Sequence, residues 1–144
     1  HVLDFSAIGD FTTWDVSNVT DVSGLFANNN AEYLDLTGWD LRNCGNFQLM
    51  FADQFNNNLK GLILSGWQMD TTRQAQYGGM FVGCTALKTL TLKGCATEVV
   101  DFFKSQLMTD LFATVSTGAL LLVLDDGTYK YDKAAGDWVA NTTS

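Results

Sequence analysis

Between positions 8 and 95 the hydrophobic and polar residues recur in a fixed order. Asp10-Phe11-Thr12-Thr13-Trp14-Asp15-Val16 lies over Asp35-Leu36-Thr37-Gly38-Trp39-Asp40-Leu41, then over Ile63-Leu64-Ser65-Gly66-Trp67-Gln68-Met69 and Thr91-Leu92-Lys93-Gly94-Cys95. Trp14, Trp39, Trp67 and Cys95 form one column, spaced 25, 28 and 28 residues apart. Ahead of the column, alternating runs such as Leu34-Asp35-Leu36 predict short strands with both leucines inward and Asp35 outward. Behind it, Val16, Val19, Val22, Leu25 and Phe26 step by three and four, which predicts an amphipathic helix with Asp15 or Ser17 as N-cap. Leu41, Cys44, Phe47, Met50 and Phe51 repeat those positions in the second copy. In the third, Tyr77, Met80 and Phe81 follow two extra residues around 71–76, and Gly78-Gly79 predicts a shortened helix.

The fourth copy departs furthest. Val99, Val100, Phe103, Leu107, Leu111 and Phe112 behind Thr97-Glu98 predict a helix over 97–113. Beyond it, 120–124, 128–131 and 137–139 predict a meander of short strands around the turns Asp125-Asp126-Gly127 and 133–136. Asn28-Asn29-Asn30 and Asn56-Asn57-Asn58 suit turns between copies, since Asn hydrogen-bonds its own backbone. A strand or an amphipathic helix alone leaves its apolar face wet, whereas stacked copies bury the Leu, Trp, Met and Phe columns against one another. A period of 25 to 28 residues falls in the range of about 20–29 that marks leucine-rich repeats. The expected fold class is therefore α/β: a leucine-rich-repeat-like right-handed solenoid of about four strand–helix repeats with a C-terminal β-meander cap. One domain is expected over 1–144, with a lead-in at 1–7, where Val2-Leu3-Asp4-Phe5 suits a strand, repeats at 8–118 and the cap at 119–144.

The motif Trp14-Asp15-Val16-Ser17-Asn18-Val19-Thr20-Asp21-Val22-Ser23-Gly24-Leu25-Phe26, with Leu34-Asp35-Leu36-Thr37-Gly38-Trp39, resembles the BspA-type leucine-rich repeats of bacterial surface proteins, which read WDTSNVTDMSxMF followed by LDLSxW. The likeness spans 8–93, is close in the first repeat and is lost in the fourth. It implies a secreted or cell-surface bacterial protein, often lipid-anchored, whose arrays adhere to proteins of a host or neighbouring cell. It supplies no catalytic residues.

Composition narrows the partners. The net charge of −8, with only eight Lys and Arg, argues against nucleic acid and anionic membranes as partners, because both require clustered cations. No apolar run approaches the roughly 18 residues that span a bilayer. The chain opens at His1 rather than Met and reads as a processed or trimmed fragment, so a missing signal peptide carries no weight. Cys44, Cys84 and Cys95 make neither a disulfide framework nor a metal-binding pair by spacing, and suit small buried core residues.

His1 is the only histidine, which leaves no material for a Ser-His-Asp or Cys-His nucleophile or a His-rich metal site, so no enzyme and no cofactor is expected. The outward strand column Asp10, Asp35, Ile63 and Thr91 is the candidate ligand surface; Asp10 and Asp35 could form a carboxylate pair, although a solvent-facing acidic ladder is the plainer reading. Asp125-Asp126-Gly127 offers carboxylates to calcium but matches no EF-hand loop and reads as a turn. Trp14, Trp39 and Trp67 could stack on sugars, although a core ladder suits their place at the strand-to-helix turn better. The sequons at Asn18 and Asn141 matter only in a glycosylating host. The leading expectation is a non-catalytic surface or secreted module that binds proteins through its sheet face. A carbohydrate-binding module and a structural spacer are the alternatives.

Overall fold

A computed structural model describes residues 8–28, 31–53, 58–112, 120–132 and 134–141, with 8–10 and 112 by backbone alone. The lead-in at 1–7, Asn29, Asn30, Asn56, Asn57, the helix end at Ala113 and the later residues of the second sequon lie outside them. Seven strands form one sheet in chain order: β1 (Ile8–Asp10), β2 (Tyr33–Asp35), β3 (Gly61–Ile63), β4 (Thr89–Thr91), β5 (Leu121–Leu124), β6 (Gly127–Asp132) and β7 (Asp137–Ala140). Strands β1 to β5 run parallel, and β5, β6 and β7 are antiparallel. One α-helix, α1 (Thr97–Leu107), crosses from β4 towards β5 and ends in a π-helical turn, Met108–Phe112.

The expected solenoid of strand–helix repeats is corrected by this architecture: a seven-stranded mixed sheet with a single α-helix among the described residues. The stretches behind Trp14, Trp39 and Trp67 are turns and extended pieces. Val22, Gly24 and Phe26 donate their N–H groups to Asn46, Gln48 and Met50 of the next unit at 2.9 Å each. Phe47, Leu49 and Phe51 donate in the same way to Gln76, Gly78 and Met80. Single turns closed by bonds three residues back, such as Leu25 N–H to Val22 and Met50 N–H to Phe47, create the three-and-four spacing without a helix.

The polar residues explain the preference. Asp15, Asp21 and Asn46 each accept the N–H two residues on (Ser17, Ser23 and Gln48 at 3.0, 2.8 and 3.0 Å), and these local bonds compete with a helical ladder. Gly24, Leu49 and Gly79 share one turn position at φ 63°, 57° and 67°, left-handed values that interrupt any helix there.

The core lies behind the sheet. Leu34, Leu36, Leu62, Leu64, Leu90 and Leu92 are at most 1% exposed, as the alternation predicts. Phe26 stacks on Phe51 at 6.0 Å and Phe51 on Phe81 at 5.6 Å, and Phe103 of α1 meets Phe81 edge-on at 6.0 Å. Burying each such ring or leucine contributes about 1.5–3 kcal/mol, so these columns dominate stability. The expected β-meander forms, but β5 also pairs in parallel with β4 and so extends the main sheet.

Where the stacked units end, side chains take over from backbone. Phe26 and Phe51 donate to the next unit's carbonyls, whereas Phe81 donates to the Asp110 carboxylate at 2.9 Å. Gly38 and Gly66 donate to Ser65 and Lys93 carbonyls, whereas Gly94 donates to Asp125 at 3.0 Å. Each replacement gives an acceptor to a backbone donor that the departing chain would leave behind.

Candidate functional site

Strand pairing sets Asp10 opposite Asp35, Asp35 opposite Ile63, Ile63 opposite Thr91 and Thr91 opposite Val123. The predicted column is therefore one continuous row across the sheet. Two residues earlier runs a second outward row, Tyr33, Gly61, Thr89 and Leu121. The strand period of two brings both rows to the face opposite the leucine core.

The members differ in what they offer. The Asp35 carboxylate accepts the Thr37 N–H at 3.1 Å and the Thr37 hydroxyl at 2.6 Å, which commits it to the turn behind β2. Asp10 is placed by its backbone alone. Ile63 and Thr91 are half-buried. A residue that the column reasoning passed over is the most prominent: Tyr33 is 45% exposed and lies across Gly61, where an added Cβ would sit 2.7 Å from the ring. The missing side chain at 61 lets the ring lie on the sheet, the way an aromatic residue covers a cross-strand glycine. Tyr33 and Gly61 stand 28 residues apart, the interval that separates Trp39 from Trp67, and that was the available signal. Lys60 pairs with Glu32 at 3.0 Å beside them, with both side chains well exposed. Such a pair sets local charge more than stability.

Four aspartates, Asp15, Asp21, Asp40 and Asp70, stand on the turns behind the strands. Hydrogen bonds from Ser17, Ser23 and Thr72 hold the carboxyls of Asp15, Asp21 and Asp70 below the ordinary aspartate range, and Arg42 does the same for Asp40. Asp40 and Arg42 meet in a two-pronged contact at 2.9 and 2.8 Å.

Trp39 and Trp67 are 1% exposed and stack at 6.2 Å with planes 2° apart. Their indole N–H groups are spent on the Phe11 and Leu36 carbonyls at 2.9 and 2.8 Å. Cys95 follows the rule, its thiol donating to the Leu64 carbonyl at 3.3 Å. The tryptophans are thus a core ladder with Trp14, 51% exposed, at its end, and two of the three are closed to a sugar. All three cysteines are free thiols, with Cys44 and Cys84 buried and Cys95 half-buried; burial pushes each thiol up.

Asp125 and Asp126 form the two-residue turn between β5 and β6. Asp125 holds the Gly94 N–H and Asp126 accepts the Tyr129 hydroxyl at 2.9 Å. Among the described residues no cluster of three or more His, Cys, Asp or Glu could hold a metal, and no helix is long and apolar enough to cross a membrane.

Residues 4–113 match the family described as "Mycoplasma protein of unknown function, DUF285", a span of more than half the chain. The chain belongs to the DUF285 family. The matched span takes in β1 to β4, α1 and the π-helical turn, so the candidate row lies inside the DUF285 region up to Thr91, while Val123 lies beyond it. Searches of curated proteins and of solved structures returned no match.

Proposed function

We propose that this DUF285 chain is a non-catalytic binding module, secreted or displayed at a bacterial cell surface, that engages a partner protein through the outer face of its sheet. The BspA-type motif at 14–26 and 34–39 supports the surface role, because that family's arrays act in adhesion. The observation that carries the placement is the pair of outward rows, in which Tyr33 on Gly61 and half-buried Ile63 give an apolar centre beside the Glu32–Lys60 pair. An exposed aromatic ring flanked by aliphatic residues and framed by charges is the composition that binding interfaces favour.

Purified chain is to be passed over immobilised fibronectin, laminin and collagen and over cells bearing native surface proteins. The reading expects saturable binding to at least one, lost by tenfold or more in Tyr33→Ala and in Ile63→Arg with melting temperatures retained. Binding that ignores both substitutions overturns the placement. Protease treatment of intact producing cells tests the location, and full protection of the chain argues against surface display.

A further inference from the structure

We propose that the cleft between α1 and the β5–β6 hairpin binds a small organic cation, an ammonium group joined by a short alkyl arm to a flat apolar ring. The cleft measures about 390 Å³. That lies at the small end of the range for small-molecule sites, about 300–1,000 Å³, and suits one ring system. It opens where the repeating pattern stops. The Trp column ends at Cys95, whose thiol keeps the bond to the Leu64 carbonyl but brings no ring. Phe103 of α1 packs edge-on against Trp67 at 5.9 Å instead, and the chain leaves the sheet as a helix. Between that helix and the hairpin, Leu92, Val100 and Leu124 with Cys95 line an apolar floor.

The rim supplies charge selection. Asp101, Asp125 and Asp126 border the cleft with Lys104 as the one cation, an excess of two negative charges. The fold fixes two of these carboxylates. Asp125 is held by the Gly94 N–H at 3.0 and 3.2 Å, and Asp126 by the Tyr129 hydroxyl at 2.9 Å. The Tyr129 ring already attracts a cation, with the Lys104 ammonium 5.5 Å from its centroid. An arylalkylamine would lay its ring on the aliphatic floor and turn its ammonium to the carboxylates. An anion of the same shape would meet a field of its own sign. This site shares no residue with the outer sheet face, so either proposal can fail alone.

The test titrates the isotope-labelled full chain with tryptamine at low salt and follows backbone amide resonances. Expected are saturable shifts centred on Leu92, Cys95, Val100, Leu124 and Tyr129. About 0.5 M salt should weaken them, because the rim carboxylates are exposed and screenable. Val100→Phe, which fills the floor, is expected to abolish them. Asp126→Asn keeps an acceptor for Tyr129 but removes a charge, and should lower affinity by roughly two- to fivefold, the scale of one exposed ion pair. Indole-3-propionate, the same ring with a carboxylate, should give no saturable shifts. Scattered or non-saturating shifts, an equal response to the acid, or tryptamine binding undiminished in Val100→Phe overturns the proposal. If Val100→Phe does not fold, Asp101→Asn/Asp126→Asn decides, and unchanged affinity in that variant overturns it.

Discussion

Leu49 occupies a backbone conformation that its counterparts Gly24 and Gly79 reach freely. An L-residue with a Cβ at φ 57° carries about 1–2 kcal/mol of local strain. Leu49 is nevertheless 47% exposed, and its side chain leans over Gly79, where a Cβ would come 2.8 Å from Leu49 Cδ2. The two positions are therefore coupled. Gly79→Ala should destabilise by about 1–2 kcal/mol, combining left-handed strain with the collision. Gly24→Ala, with nothing within 4 Å of the added Cβ, should show only the strain less the gain from restricting the unfolded chain, a net loss of roughly 0.5–1 kcal/mol. In a Leu49→Gly background the cost of Gly79→Ala should shrink to the Gly24→Ala value. Urea unfolding of the single and double variants measures this, and strict additivity would mean that the side chain swings away at no cost. The Trp column allows a second experiment at this scale. Trp67→Phe keeps a ring in the stack but leaves the Leu36 carbonyl with only the longer bond from the Trp39 N–H at 3.4 Å, which should cost about 0.5–1.5 kcal/mol beyond the lost ring area.

At the scale of elements, the stacked units succeed because each lends its carbonyls to its neighbour, so the last unit needs another source of acceptors. The π-helical turn supplies one by setting Asp110 against the Phe81 N–H, with Gln106 bonding both that carboxylate and the Tyr77 carbonyl at 3.0 Å. Asp110→Ala leaves a buried donor bare and should destabilise by about 1–3 kcal/mol, while Asp110→Asn, which keeps an acceptor, should lose less. Hydrogen exchange at the Phe81 amide should accelerate in the alanine variant ahead of global unfolding.

None of this capping is visible along the chain, since Asp110 and Phe81 stand 29 residues apart and nothing in their local pattern links them. The strands were legible, because inward leucines every second residue have few alternative explanations. So was the row through Asp35, Ile63 and Thr91, because a constant interval fixes register. The supposed helices behind Trp14 and Trp39 were not. Steps of three and four arise equally from stacked single turns, and the deciding signal was polar: Asp15 and Ser17, Asp21 and Ser23, Asn46 and Gln48, each spaced to close a turn on its own backbone. Tyr33 escaped notice for a related reason, since its prominence depends on the glycine facing it across the register.

For the whole molecule the question is how a chain of net charge −8 responds to acid. Two effects oppose each other. Protonation towards the isoelectric point near 4.2 relieves self-repulsion and favours the compact state. Against this stand the turn carboxyls of Asp15, Asp21, Asp40 and Asp70, all held below their ordinary value of 3.8 by hydrogen bonds to their ionised form. A group with a depressed folded pKa contributes stability that is complete above its unfolded value and is lost as pH falls through the folded one. In that window the unfolded chain binds more protons, so stability must fall with falling pH. The melting temperature should therefore change little, or rise slightly, from pH 7 to about 4.5, then fall below about pH 4. Changing all four residues to Asn preserves an acceptor for each turn but removes the titration. Its acid limb should be shallower than that of the parent chain, although both start from folded protein at neutral pH. An equally steep limb in the variant would assign acid sensitivity to other groups than these four turn carboxylates.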